Sequence, residues 1–200
     1  MQIFNLWRDV MNKTKNLIFH SAIKIFSEKG YNGATMDEIA MNAGVAKGTL
    51  YYHFRSKEEI FKYIIDEGMR IIRDEIQTAV KNEKEPVEKL REIFKVQLNL
   101  VHRNRDFFKV IASQLWGKEI RQLNLRNIME NYISDIEVYI KEAMDAGKIK
   151  KGNTRLIAYS LLGNFFSSSI YQISTGEEQI EYTVQCVMEY ILGGLRQRQI

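Results

Sequence analysis

The chain has 200 residues with one cysteine and one proline, and its 29 Lys+Arg against 25 Asp+Glu give a net charge of +4. A single cysteine, Cys186, excludes an intramolecular disulfide framework and points to a reducing cytoplasm. No stretch approaches the roughly 18 unbroken apolar residues of a membrane span, and 45% apolar content suits one or two packed domains.

Scarce proline, and glycines set mostly between apolar-periodic stretches, favour an all-α chain over a strand-rich one. Residues 1–12 carry apolar side chains at Ile3, Phe4, Trp7, Val10 and Met11, which fit either a helical extension or an arm. Arg8 and Asp9 interrupt this stretch and no small-residue cleavage site follows, so it is not read as a secretion signal. A first helix is expected over 13–29, with a stripe of Leu17, Ile18, Ala22, Ile23, Ile25 and Phe26, ended by Gly30. Thr35 to Glu38 spells a capping box that opens a short helix stopping at Ala43-Gly44. A third helix follows over 46–53. Ser56 to Glu59 spells a second capping box, opening a long helix to about residue 81. Pro86 suits the first turn of the next helix. Further helices are expected over 86–103, 105–117, 119–146, 154–174 and 177–196, about nine in total. The expected division is an N-terminal DNA-binding domain over 12–72 and an effector-binding and dimerisation domain over 73–200.

The segment from Thr35 to Lys57 carries the functional signal. Ala40 is small, Gly44 accepts a turn conformation, and Val45 and Leu50 can plug the space between two steeply crossing helices. Ile39, Ala43 and Phe54 would complete that core against Ile23 and Phe26. Lys47, Gly48 and Thr49 occupy the first turn of the second helix, whose free amides attract a phosphate or a base acceptor. Lys47 or Thr49 would reach base edges, the lysine most naturally toward guanine acceptors. Tyr51, Tyr52 and His53 have a reach suited to phosphate oxygens, and Thr35 and Lys57 would hold backbone on either side. Residues 1–62 hold nine Lys/Arg against six Asp/Glu, so most of the net positive charge lies beside this segment. A helix–glycine turn–helix alone is weak evidence, since any bundle contains several; the coincidence of caps, turn and exposed polar-aromatic face raises it.

The stretch from Leu17 to Ile65 resembles the N-terminal domain of the TetR family of bacterial transcriptional repressors. The matching residues are Ala22 to Phe26, Gly30-Tyr31, Thr35, Ile39-Ala40, Ala43-Gly44-Val45, Gly48, Leu50 to Phe54, Lys57 and Ile60. The resemblance implies DNA contacts from Thr35, Lys47, Gly48, Thr49, Tyr51, Tyr52, His53 and Lys57. It also implies a homodimer on a palindromic double-stranded operator, with recognition helices roughly 34–36 Å apart, released by a small-molecule effector. No cofactor and no metal is implied.

In the C-terminal body, the candidate pocket residues are Phe94, Leu98, Phe107, Phe108, Ile111, Trp116, Met129, Tyr132 and Phe165, placed beneath the long helix. Each is equally a core-packing residue, because aromatics at helical spacing are what cores are made of. Candidate dimer-interface residues on the last two helices are Ala158, Leu161, Leu162, Phe166, Ser169, Tyr182, Cys186 and Tyr190. His102, Arg103 and Arg105 cluster at a helix end, where solvation is the plainer role. Two other functions compete. An enzyme is disfavoured because His20, His53 and His102 match no metal spacing and no glycine-rich phosphate loop occurs. The alternative within the same fold is an activator, or a protein-interaction module without an effector; the open Lys47 and Tyr52-His53 face argues against the module.

Overall fold

The structure is a computed structural model that describes residues 13–176 and 179–195; residues 1–12, with the choice between arm and helix, lie outside the described residues. Among those described, every regular element is a helix: α1 (Lys13–Gly33), α2 (Met36–Ala43), α3 (Lys47–His53), α4 (Lys57–Val80), α5 (Pro86–Arg103), α6 (Arg105–Gln114), α7 (Ile120–Asp145), α8 (Thr154–Thr175) and α9 (Ile180–Leu195). The fold class is all-α.

The chain groups into two units. The first comprises residues up to Met69 together with Asp106–Leu125, and the second comprises Arg70–Arg105 with Arg126–Ile200. The division is discontinuous, whereas sequence periodicity suggested a single cut near residue 72. Segment 106–125 joins the first unit because Phe107 packs on Gly68, where any added Cβ would collide with the ring, and because the Arg121 guanidinium lies 4.0 Å from the Tyr31 ring centre.

In the first unit α1 buries Ile18, Phe19, Ala22, Ile25 and Phe26 against Ile39 and Ala40 of α2, Leu50 of α3 and Ile60, Phe61, Ile64 and Ile65 of α4, all of them buried. Gly30 breaks α1 with φ 71°, and a short turn carries the chain on through Tyr31 to Gly33. Thr35 caps α2 reciprocally: its hydroxyl accepts from the Glu38 N–H at 3.2 Å, and the Glu38 carboxylate accepts from the Thr35 N–H at 3.0 Å. Gly44 ends α2 in the left-handed region, φ 65°. There the Val45 N–H reaches the Ala40 carbonyl and the Gly44 N–H that of Met41, both at 3.1 Å, a closure that aims the chain straight into α3. At the start of α4 the Ser56 hydroxyl accepts from the Glu59 N–H at 3.2 Å. The Glu59 carboxylate, however, takes the Arg55 N–H at 2.7 Å instead of that of Ser56, one residue beyond the reciprocal partner a capping box supplies.

The second unit is built on α5, which contacts both α8 and α9. Its core holds Leu90, Ile93, Phe94 and Leu98 of α5, Ile133, Ile136 and Ile140 of α7, and Val184, Met188 and Leu192 of α9. Pro86 is the first residue of α5. Asn153 caps α8 by accepting from the Leu156 N–H at 3.0 Å.

Candidate nucleic-acid interface

Leu50 and Phe54 are buried and anchor α3 by one side. Since a helix places side chains about 100° apart, burying Leu50 turns Gly48 and Tyr52 to the opposite side and Tyr51 to the flank; these three, and Lys47 at the start of the helix, are exposed. Tyr52 projects furthest, at 85% exposure, and its ring meets His53 edge-on at 5.1 Å. Thr49 and His53 are half-buried. An added Cβ at Gly48 would meet nothing within 4 Å, so the first turn of α3 offers bare backbone to an approaching surface. Lys47, Gly48, Tyr51 and Tyr52 thus form an exposed face, with Thr49 and His53 partly covered.

Two of the anticipated contacts have internal partners. The Lys47 ammonium donates to the Asp37 carboxylate at 2.9 Å, and that hydrogen bond, with the carboxylate charge behind it, holds the Lys47 pKa above its ordinary value. Lys47 nonetheless remains well exposed, and a surface pair of this kind is weak enough to exchange for a phosphate. Lys57 is held more closely. Its ammonium donates to the Ala34 carbonyl at 2.8 Å and lies 4.7 Å from the Tyr31 ring centre, so it braces the peptide leading into the Thr35 cap. Thr35 is exposed, but its hydroxyl serves Glu38. Lys29 hydrogen-bonds Glu38 from α1; that bond, then those from the Thr35 hydroxyl and backbone, hold the Glu38 pKa below the ordinary carboxylate value. Sequence inspection missed Asp37 as the partner of Lys47. No periodic rule relates residues ten apart on two different helix N-termini.

The effector candidates scatter. Phe94 and Tyr132 line a small cavity in the second unit, of about 20 Å³, with Leu90, Ile93, Gln97, Ile133, Ile136, Ala158, Leu161 and Leu162. None of these comes from α4, beneath which a pocket was expected. Leu98 is fully buried core and Met129 and Phe165 are half-buried, all apart from this lining. Phe107, Phe108 and Ile111 belong to the core of the first unit. Trp116 does not line the cavity; at 82% exposure it projects from the α6–α7 connection, where Gly117 (φ 134°) has broken the helical spacing that placed it inside.

Of the interface candidates, Tyr182 and Tyr190 are exposed and Phe166 and Cys186 half-buried. Ala158 and Ser169 are buried within the unit, the latter donating to the Phe165 carbonyl at 2.7 Å, while Leu161 and Leu162 face the cavity. Leu156, Tyr159, Ile170 and Tyr171 are instead the exposed apolar residues of α8. The cause is rotational: α8 has apolar side chains on all sides, so its sequence does not say which face turns inward.

Among the described residues no group of three or more His, Cys, Asp or Glu is arranged to hold a metal ion, and no helix is long and apolar enough to cross a membrane.

The N-terminal arrangement is that of a helix-turn-helix DNA-binding regulator. Residues 18–64 match the family model of bacterial regulatory proteins, tetR family. A Clostridium perfringens protein described as a fatty acid metabolism regulator is 44% identical, covering 91% of this chain and 100% of that one, with a TM-score of 0.84. The chain belongs to the TetR family of bacterial transcriptional regulators. The fatty acid metabolism regulator protein of Bacillus subtilis is 28% identical over 153 residues, 73% of this chain and 76% of that protein. A solved structure of the transcriptional regulator FadR from Bacillus subtilis, in complex with stearoyl-CoA, shares the fold at a TM-score of 0.79 and 22% identity, covering 90% of this chain and 98% of that one.

Proposed function

We propose that this regulator is a cytoplasmic, non-catalytic repressor that binds a palindromic operator as a homodimer and is released by a long-chain acyl-CoA. The observation that carries operator binding is the outward face of α3: Lys47, an open Gly48 and the projecting Tyr52 at the start and middle of one short helix. Lys47 and Thr49 are the base readers, Tyr51, Tyr52 and His53 the phosphate contacts, and Thr35 and Lys57 the residues that hold the entry to α2 in register.

Exposed Leu156, Tyr159, Ile170, Tyr171, Tyr182 and Tyr190 on α8 and α9 support the dimer, since large apolar side chains clustered on a surface mark contact sites. The acyl-CoA effector is supported by the stearoyl-CoA complex of the Bacillus subtilis regulator and by the apolar cavity among α5, α7 and α8. Release is a population shift: the effector must bind one conformation better than the operator-competent one. Helix α4 contributes residues 57–69 to the first unit and 70–80 to the second, and we assign the coupling to this shared helix.

Selection of bound sequences from random duplexes tests this. A palindrome should emerge, and palmitoyl-CoA should lower affinity for it. Lys47→Ala and Tyr52→Ala should each weaken binding; losing the Lys47 charge should also reduce the slope of log K against log salt, by at most about 0.9, whereas losing the uncharged Tyr52 should leave the slope unchanged. Failure to enrich any duplex would remove the operator; enrichment without an acyl-CoA response would remove the effector alone.

A further inference from the structure

The geometry points to the Tyr132 phenol, beside Gln97, as the reader of a neutral carbonyl oxygen on the effector, which makes the preferred ligand a long-chain ester or thioester and not a free fatty acid. This rests on the acyl-CoA reading above and names the chemistry of its site.

Apart from Gln97 of α5 and Tyr132 of α7, the side chains around the cavity are apolar. Both are buried. The Gln97 amide donates to the Tyr132 phenolic oxygen, which satisfies the phenol as an acceptor and leaves its proton to donate. Burial raises the phenol's pKa, so that proton stays in place at neutral pH. One donor in an apolar wall suits one uncharged acceptor.

A carboxylate does not suit it. No cation lines the cavity, and the neighbouring Arg73 guanidinium donates to Asp135 at 3.0 Å. A buried anion would arrive without a partner, which costs far more than a buried carbonyl that accepts one hydrogen bond. At about 20 Å³ the cavity has room for about one water. An acyl chain therefore enters only by displacing side chains of α5, α7 and α8, and the Gln97–Tyr132 bond joins α5 to α7 in that wall. A carbonyl that accepts from the phenol O–H gains a hydrogen bond there; a bare hydrocarbon chain does not.

The test compares palmitoyl-CoA, S-hexadecyl-CoA (the thioether of the same chain length, without the carbonyl) and palmitate, by calorimetric binding to the full chain. Wild type should favour thioester over thioether by about 5–10-fold, the worth of one hydrogen bond, and bind palmitate more weakly than either. Tyr132→Phe should bring the thioester-to-thioether ratio below about twofold, with thioether affinity unchanged. Gln97→Met, which keeps the phenol, should retain the preference and guards against misfolding of the first variant. Equal binding of thioester and thioether by wild type, equal weakening of both in Tyr132→Phe, or loss of the preference in Gln97→Met would each overturn the assignment while leaving the acyl-CoA reading intact. Binding of neither CoA compound would remove that reading, and this inference with it.

Discussion

Gly48→Ala separates folding from recognition at the recognition helix. Gly48 is the second residue of α3, and its φ is not positive. A methyl group there meets nothing within 4 Å. The substitution should therefore recover the entropic cost of a helical glycine, about 0.5–1 kcal/mol. At about 2–4 °C per kcal/mol for a chain of this size, Tm should rise by about 1–4 °C. Operator affinity should move the other way. If the first turn of α3 brings its backbone against DNA, the methyl fills that space, and a loss of about 1.4 kcal/mol is tenfold in Kd. The assay pairs thermal unfolding with titration of the selected duplex at fixed salt. An unchanged Kd would show that the backbone at residue 48 stays clear of DNA, and a lowered Tm would refute the open-space argument itself.

Gly68→Ala should do the opposite at a buried position: its Cβ would lie 2.6 and 2.8 Å from Phe107 Cε2 and Cε1. Overpacking costs about 1–3 kcal/mol, and the helix-propensity gain of about 1 kcal/mol offsets part of it. Melting should fall by several degrees and recover partly in combination with Phe107→Leu; a Gly68→Ala protein melting above wild type would sink the packing argument. Glu38 has a pKa below its ordinary 4.5. Its contribution to stability is thus present above that value and is lost as pH falls through the lowered folded one. Glu38→Gln should be less stable than wild type at pH 7, with the gap closing below about pH 4.5; a gap that does not change with pH would count against the Lys29 and Thr35 bonds as its source.

Much of the N-terminal unit was legible because its determinants are local. Capping at Thr35, the left-handed turn at Gly44 and the burial of Leu50 follow from residue type at short spacing, and the burial of Leu50 turns Tyr51 and Tyr52 outward. The helices of the second unit were placed by the same signals, Pro86 and Asn153 among them, yet the candidate site there was not. Apolar periodicity marks a side chain as buried without naming its neighbour. The spacing that marks Phe94 and Tyr132 as buried marks Phe107 and Ile111 equally, and these pack in a different unit.

What residue order alone determined is therefore the helical elements, the turn and the residue types exposed on α3, since each depends on interactions within a few residues. Tertiary packing alone decided that 106–125 joins the first unit, that Lys47 answers to Asp37, that Lys57 braces Ala34, and that Gln97 meets Tyr132. Those pairings depend on how helices rotate and cross, and residues far apart in the chain meet only when several packed faces are satisfied at once.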